Sequence, residues 1–271
     1  MYNSFYKFKE NPFNITSDPD FYFSSSRHTE AISHLVYGIN ERKGILVITG
    51  EIGTGKTTLC RTLLNQLDEK TKTALILNPS FSDLQLLKLI LKDLGINHPA
   101  KTKFDLIDTL NEFLIEETSL GNNVVIIIDE AQNLGVKQLE QIRLLSNLET
   151  EKEKLLQIVL VGQPELMDKL KLDSLRQLNQ RIAVRYHIMP LDITEAISYI
   201  LHRLNVASVD PAHCKVKFTQ EALETIFNIS KGTPRMINVL CDRALLAGFT
   251  LEATVIDQHL IHQCAREVGH K

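Results

Sequence analysis

Apolar residues run along this chain in two alternating rhythms. Unbroken aliphatic stretches, Ile45-Leu46-Val47-Ile48, Val124-Val125-Ile126-Ile127-Ile128 and residues 157–161, suit strands covered on both faces. Residues 73–77 and 183–188 read as two further strands. Between them apolar positions recur at helical spacing, as in Leu84, Leu87, Leu91 and Leu94, then Ile107, Leu110 and Leu114. Helices are predicted over 29–40, 56–67, 82–94, 104–118, 136–149 and 170–180, with Ser82 as an N-cap, Gly95 as a stop and a loop through His98-Pro99. Strand and helix in alternation predict an α/β fold around a parallel sheet.

Past Met189-Pro190 the strand-like runs stop. Helices are predicted over 192–205, 219–230, 234–251 and 255–268; Asp192 with Glu195 has the form of a capping box, and Pro234 follows Gly232 at a first helical turn. The expected organisation is an N-terminal segment plus α/β core over 1–190 and a small all-helical domain over 191–271. Residues 1–27 are aromatic and turn-rich, with Phe5, Tyr6, Phe8, Phe13, Phe21, Tyr22 and Phe23 broken by Asn11-Pro12 and Asp18-Pro19. They are expected to pack over the core without regular structure, either as a simple cover or as one wall of a base pocket.

The strongest local signal is Gly50-Glu51-Ile52-Gly53-Thr54-Gly55-Lys56-Thr57, which fits G-x-x-x-x-G-K-[ST] between a predicted strand and a predicted helix. Glycines let the backbone curl with its N–H groups inward, and the helix adds its positive end. Gly50, Ile52, Gly53, Thr54, Gly55, Lys56, Thr57 and Thr58 are therefore candidates to grip a triphosphate, Lys56 at the β and γ phosphates and Thr57 at Mg²⁺. The run 124–128 ends in Asp129-Glu130, where an open parallel sheet places its ligands. Asp129 would join Thr57 in holding Mg²⁺, and Glu130 would polarise an attacking water. Gln163, ending the next strand, is a candidate to sense the γ phosphate, though a turn-forming role before Pro164 reads almost as well. Arg176, Arg181 and Arg185 are candidates to reach a neighbouring subunit.

Totals narrow the picture rather than set it. With 271 residues, 44% hydrophobic, 23% charged and a net charge of -3, the chain has neither a disordered composition nor the charge of an obvious nucleic-acid binder. Cys60, Cys214, Cys241 and Cys264 are scattered and read as reduced thiols. His259, His262 and Cys264, with His213 and Cys214, lack tetrahedral ligand spacing and read as ordinary side chains. The N-terminus has no signal-peptide layout, and no aliphatic run approaches the ~20 residues of a membrane helix. The expected location is the cytoplasm, peripheral to the inner membrane only through a partner.

Taken together, GEIGTGKT, VVIIIDEAQ, QIVLVGQPEL, LNQRI and GTPRMINVLCDRALL, with the opening FYKFKENPFNITSDPDFYF, resemble the AAA+ ATPases of the ExeA (general secretion pathway A) type over nearly the whole chain. The resemblance implies a P-loop NTPase with a five-stranded parallel sheet and a helical lid, and ATP held at their junction and at a subunit interface. It makes Lys56 and Thr57 the Walker A pair, Asp129 and Glu130 the Walker B pair, and Gln163 sensor 1. Arg181, ahead of Arg176, becomes the trans-acting arginine finger, and Arg235 sensor 2. His28 and Asn11-Pro12-Phe13 become the adenine-side elements. Longer members continue into a membrane span and a peptidoglycan-binding domain, so this sequence is expected to be a short relative or the ATPase part of a longer chain. The implied function is an ATP-hydrolysing, homo-oligomeric assembly factor for a secretion, pilus or exopolysaccharide machine, working with a membrane-anchored partner. The second choice is a DNA-bound ATPase resembling TnsC or TniB of transposons.

Overall fold

A computed structural model describes residues 2–16, 18–97, 102–151, 153–210 and 214–269. The chain folds into two compact units, one of residues 26–51 and 59–188, the other of the segment up to Ser25, Ile52–Thr58 and everything from Met189 onward.

The first unit is built on helix α2 (Ser26–Asn40) and then β1 (Ile45–Gly50), α3 (Lys56–Gln66, most of it here), β2 (Thr71–Ile76), α4 (Asp83–Asp93), α5 (Lys103–Ser119), β3 (Asn123–Ile128), α6 (Val136–Leu145), β4 (Gln157–Gly162), α7 (Glu165–Leu170), α8 (Arg176–Gln180) and β5 (Ile182–Ile188). The strands form one parallel sheet in the order β2-β3-β4-β1-β5, with Ile45 opposite Ile158 and Ile182, and Ile128 opposite Leu160. β1, β3 and β4 bury nearly every residue because helices cover both faces, which is why their sequences are continuous rather than alternating. The Ser82 cap is present: its Oγ accepts from Gln85 N–H at 3.4 Å, while Gln85 Oε1 accepts from Ser82 N–H at 2.9 Å. Gly95 ends that helix at φ +78, in the left-handed region. Residues 98–101 of the expected loop lie outside the described residues.

The largest departures from expectation in this unit fall in two helices. The helix expected over 170–180 is instead α7, a 3₁₀ turn at Asp173–Leu175 and α8, because Leu166, Leu170, Leu175 and Leu178 are all buried and no single helical stripe carries that spacing. The helix expected to reach 149 stops at Leu145, and Glu149 then bridges Lys154 in an antiparallel turn.

The second unit contains α1 (Tyr2–Tyr6), a 3₁₀ turn at Pro19–Phe21, α9 (Ile193–Ala207), β6 (Lys217–Phe218), α10 (Gln220–Ser230), α11 (Pro234–Thr250), β7 (Val255–Ile256) and α12 (Gln258–Glu267). Residues 191–271 were expected to be all helical, but Val255 and Ile256 pair in parallel with Lys217 and Phe218, and α12 begins only after Asp257, whose Oδ1 caps Leu260 N–H at 2.9 Å. The N-terminal segment also departs from expectation. It opens with a helix, and Tyr2, Tyr6, Phe8, Phe13 and Phe21 share a buried cluster with Ile200, Leu240, Leu245 and Ile261 rather than with the sheet. Burial of these rings against α9, α11 and α12 outweighs their distance along the chain.

Candidate functional site

β1 delivers the chain to Gly50, and the loop that follows turns through Gly53 at φ +81 and Gly55 at φ +92 before α3 starts at Lys56. Only glycine occupies this region without strain, so the backbone demands the residues that the pattern supplies. Lys56 is only 6% exposed and Thr54 is buried, while Ile52 points out. Thr57 and Thr58 are half-buried in the first turn of α3. Within the second unit the loop meets the start of α11: Arg235 N–H donates to Gly53 C=O at 3.2 Å. A Cβ on Gly53 would lie 2.6 Å from Arg235 Cβ and 3.2 Å from Thr233 Cγ2, so the contact has no room for a side chain.

At the C-terminal end of β3, Asp129 N–H extends the ladder to Ile76 C=O at 2.8 Å, and the side chain of Asp129 is 1% exposed. Glu130 then adopts φ 54, ψ 36, a conformation that costs a non-glycine residue about 1–3 kcal/mol and persists only where its surroundings impose it. What imposes it is a ring of amides. Glu130 N–H donates to Asp129 Oδ1 at 2.9 Å, Gln132 Nε2 donates to Glu130 Oε2, and Gln163 Nε2 donates to the same oxygen at 3.3 Å. Gln132 Oε1 in turn accepts from Gln163 N–H at 3.0 Å. Strand order explains the meeting, since β4 lies directly beside β3. Glu130 and Gln163 are thus brought together, and Gln132 joins them without having been given a role in the sequence. Its only signal there was its place two residues after Glu130.

A profile of the AAA domain matches residues 39–170. General secretion pathway protein A of Aeromonas hydrophila is 44% identical over 99% of this chain and 49% of its own length. Over nearly its whole length, then, the chain resembles an AAA+ protein of the general secretion pathway A type. It spans about half the length of that curated relative. Among solved structures, the ORC2 protein of Aeropyrum pernix in its ADPNP–ADP complexes superposes with TM-score 0.70 at 16% identity, covering 96% of this chain and 72% of the other. Cdc6p of Pyrobaculum aerophilum gives 0.69 at 16%, covering 98% and 71%. At such identities the likeness shows the fold, a P-loop AAA+ architecture.

Arg181 lies apart from the acid end of this AAA+ sheet. Arg181 immediately precedes β5, whose first residue, Ile182, pairs with Ile45 at the start of β1, whereas Gly50 at the end of β1 pairs with Ile188. Strand rise puts roughly 17 Å between these ends. Arg181 lines an open cavity of about 370 Å³ with Lys43, Ser146, Glu149 and Lys154. Burial, then the charge of Arg181, lowers the pKa of the Lys154 ammonium. Arg176 is exposed, and Arg185 is engaged by Asn179, donating to its C=O at 2.6 Å and its Oδ1 at 2.7 Å. His28 is buried in the first turn of α2. Pro12 belongs to the other unit, where its C=O accepts from Arg203 Nε at 2.5 Å. His213 lies outside the described residues; among those described, no three His, Cys, Asp or Glu groups are close enough to share a metal, and no helix is long and apolar enough to cross a membrane.

Proposed function

We propose that this chain binds and hydrolyses ATP as an oligomer and uses the cycle to assemble a secretion, pilus or exopolysaccharide machine. The observation that carries the reading is Glu130, a half-buried carboxylate at the end of the interior strand β3 that amide donors hold in a left-handed conformation, as a group meant to act in one direction would be. Glu130 would accept a proton from the attacking water. Lys56, at the start of α3, would contact the β and γ phosphates alongside the loop amides, and Arg235 would approach them from the first turn of α11. Thr57 and Asp129 supply a hydroxyl and a carboxylate, hard oxygen donors that fit Mg²⁺. The ion, when bound, would neutralise charge on the phosphates. His28 and the turn at Pro12 remain our candidates for the adenine side.

Arg181 supports the oligomer. It sits at the far end of the strands from Gly50 and Glu130, so any role in hydrolysis must be played in a neighbouring subunit's site, where such an arginine accelerates turnover by about 10³–10⁵. The 44% identity favours service to a secretion machine, with a membrane-anchored protein as partner, over the transposon-type reading.

Equilibrium ATP binding and turnover test the proposal. Lys56→Ala should abolish binding; Glu130→Gln should bind ATP, accumulate as an ATP-bound oligomer and lose about 10²–10⁴ in rate. Normal turnover by Glu130→Gln would remove the central assignment. Tight, salt-sensitive binding of duplex DNA with ATP would reverse the choice of machine.

A further inference from the structure

Gln132 is bound at both ends, and the two partners come from different strands. Its Nε2 donates to Glu130 Oε2 at the end of β3, and its Oε1 accepts from the backbone N–H of Gln163 at the end of β4, 3.0 Å away. A carboxamide has donors on nitrogen only and an acceptor on oxygen, so these two partners admit one orientation; the flipped amide would set oxygen against carboxylate oxygen. The backbone around it is equally tied. Lys169 Nζ donates to the carbonyls of Gln132 and, at 3.0 Å, Leu134, closing the 3₁₀ turn Ala131–Asn133. The side chain lies flat on Gly162, where an added Cβ would stand 2.8 Å from Gln132 Oε1 and 3.2 Å from Gln132 N. β4 therefore ends in glycine where Gln132 crosses it.

We propose that Gln132 is the positioning residue for Glu130. It aims the carboxylate and links its position to the end of β4, so that any movement of the Gln163 backbone is passed to Glu130. Gln163 Nε2 adds a bond of 3.3 Å to the same oxygen, but through a side chain that the ATP-hydrolysis reading also assigns to the γ phosphate. Gln132 has no such second duty, and it holds the aim while Gln163 is elsewhere. The inference rests on the hydrolytic role proposed above for Glu130.

The test is steady-state ATP turnover by Gln132→Met, which keeps length and volume over Gly162 but can neither donate nor accept at the two contact points. A misplacement of about 1 Å at a reacting group costs on the order of 100-fold, so kcat should fall about that much. KM, ATP affinity and melting temperature should stay near wild type. Gly162→Ala offers an independent handle: its Cβ displaces the Gln132 carboxamide and should reproduce the fall in kcat with ATP binding retained. Wild-type kcat in Gln132→Met, with Glu130→Gln inactive in the same assay, would overturn the positioning role and leave the parent reading intact. Loss of ATP binding together with turnover in Gln132→Met would also overturn it, since the residue would then act through the phosphate loop. Normal turnover by Glu130→Gln would overturn the parent reading and the positioning role together.

Discussion

Each compact unit is held together internally by its own kind of contact. The buried members of the sheet-side cluster, Ile45, Val124, Ile126, Ile128, Ile158 and Leu160 among them, are all aliphatic and come in runs of neighbours along the chain. The other unit gathers Tyr2, Tyr6, Phe8, Phe13 and Phe21 onto helices that lie far along the chain, and it buries a cation among them. Arg203, 5% exposed, donates to Pro12 C=O at 2.5 Å, Tyr199 Oη at 2.9 Å and Asn14 C=O at 3.1 Å, with its guanidinium 4.7 Å from the ring of Phe21. Its partners are carbonyls, a hydroxyl and rings rather than a carboxylate. Aliphatic burial is non-directional and tolerant, whereas contacts of the second kind need each atom in place. The second unit should therefore be the more sensitive to small changes of shape.

Gly232→Ala should have the largest effect. Gly232 stands at φ +73, accepts from Leu191 N–H at 3.0 Å, and has Leu191 O only 1.9 Å from the place a Cβ would take. Backbone strain and forced displacement together predict a loss of about 2–5 kcal/mol in urea unfolding. A loss below that of a conservative sheet substitution would break the comparison.

Arg203→Met should follow. It removes the cation and its hydrogen bonds to the Pro12 and Asn14 carbonyls, for about 1–3 kcal/mol. Unchanged stability would mean that the N-terminal segment is held by its rings alone. Ile126→Val, in the middle of β3, should cost only about 0.5–1.5 kcal/mol, because aliphatic neighbours surround it and can close part of the gap. Matching losses for Ile126→Val and Arg203→Met would erase the distinction.

The smallest effect is an alkaline one. Burial raises the pKa of Tyr6 from 10.0 to about 12, and the hydroxyl donates to Ala253 C=O at 3.0 Å. Between those pH values the folded state keeps a proton that the unfolded chain releases, so stability present below pH 10 is lost as pH climbs toward about 12. Tyr2 shifts in the same direction, through burial and then its hydrogen bond to Asp242. Melting temperatures across that window should fall less steeply for Tyr6→Phe than for wild type; identical slopes would exclude Tyr6 as the source.

Much of the candidate site's local geometry was legible along the chain because it is local. A loop that must turn at φ +81 and +92 needs glycine at 53 and 55, and a strand buried on both faces needs an aliphatic run before Asp129. Gln163 was legible as a polar group at a strand end. Gln132 was not, because its meaning lies in a partner 31 residues away, which only the β3-β4 pairing brings beside it. Arg181 could be picked from a motif, but its place at the opposite end of the sheet from Gly50 required the strand register.

By itself, then, the sequence determined which segments could be strands, helices or a phosphate-gripping turn, since period, caps and glycine conformation act over a few residues. The tertiary structure alone decided that the first 25 residues join the C-terminal helices and that one glutamine ties the acid after β3 to the end of β4. Ring burial and hydrogen-bond geometry reward contact in space whatever the separation along the chain, so no local pattern encodes them.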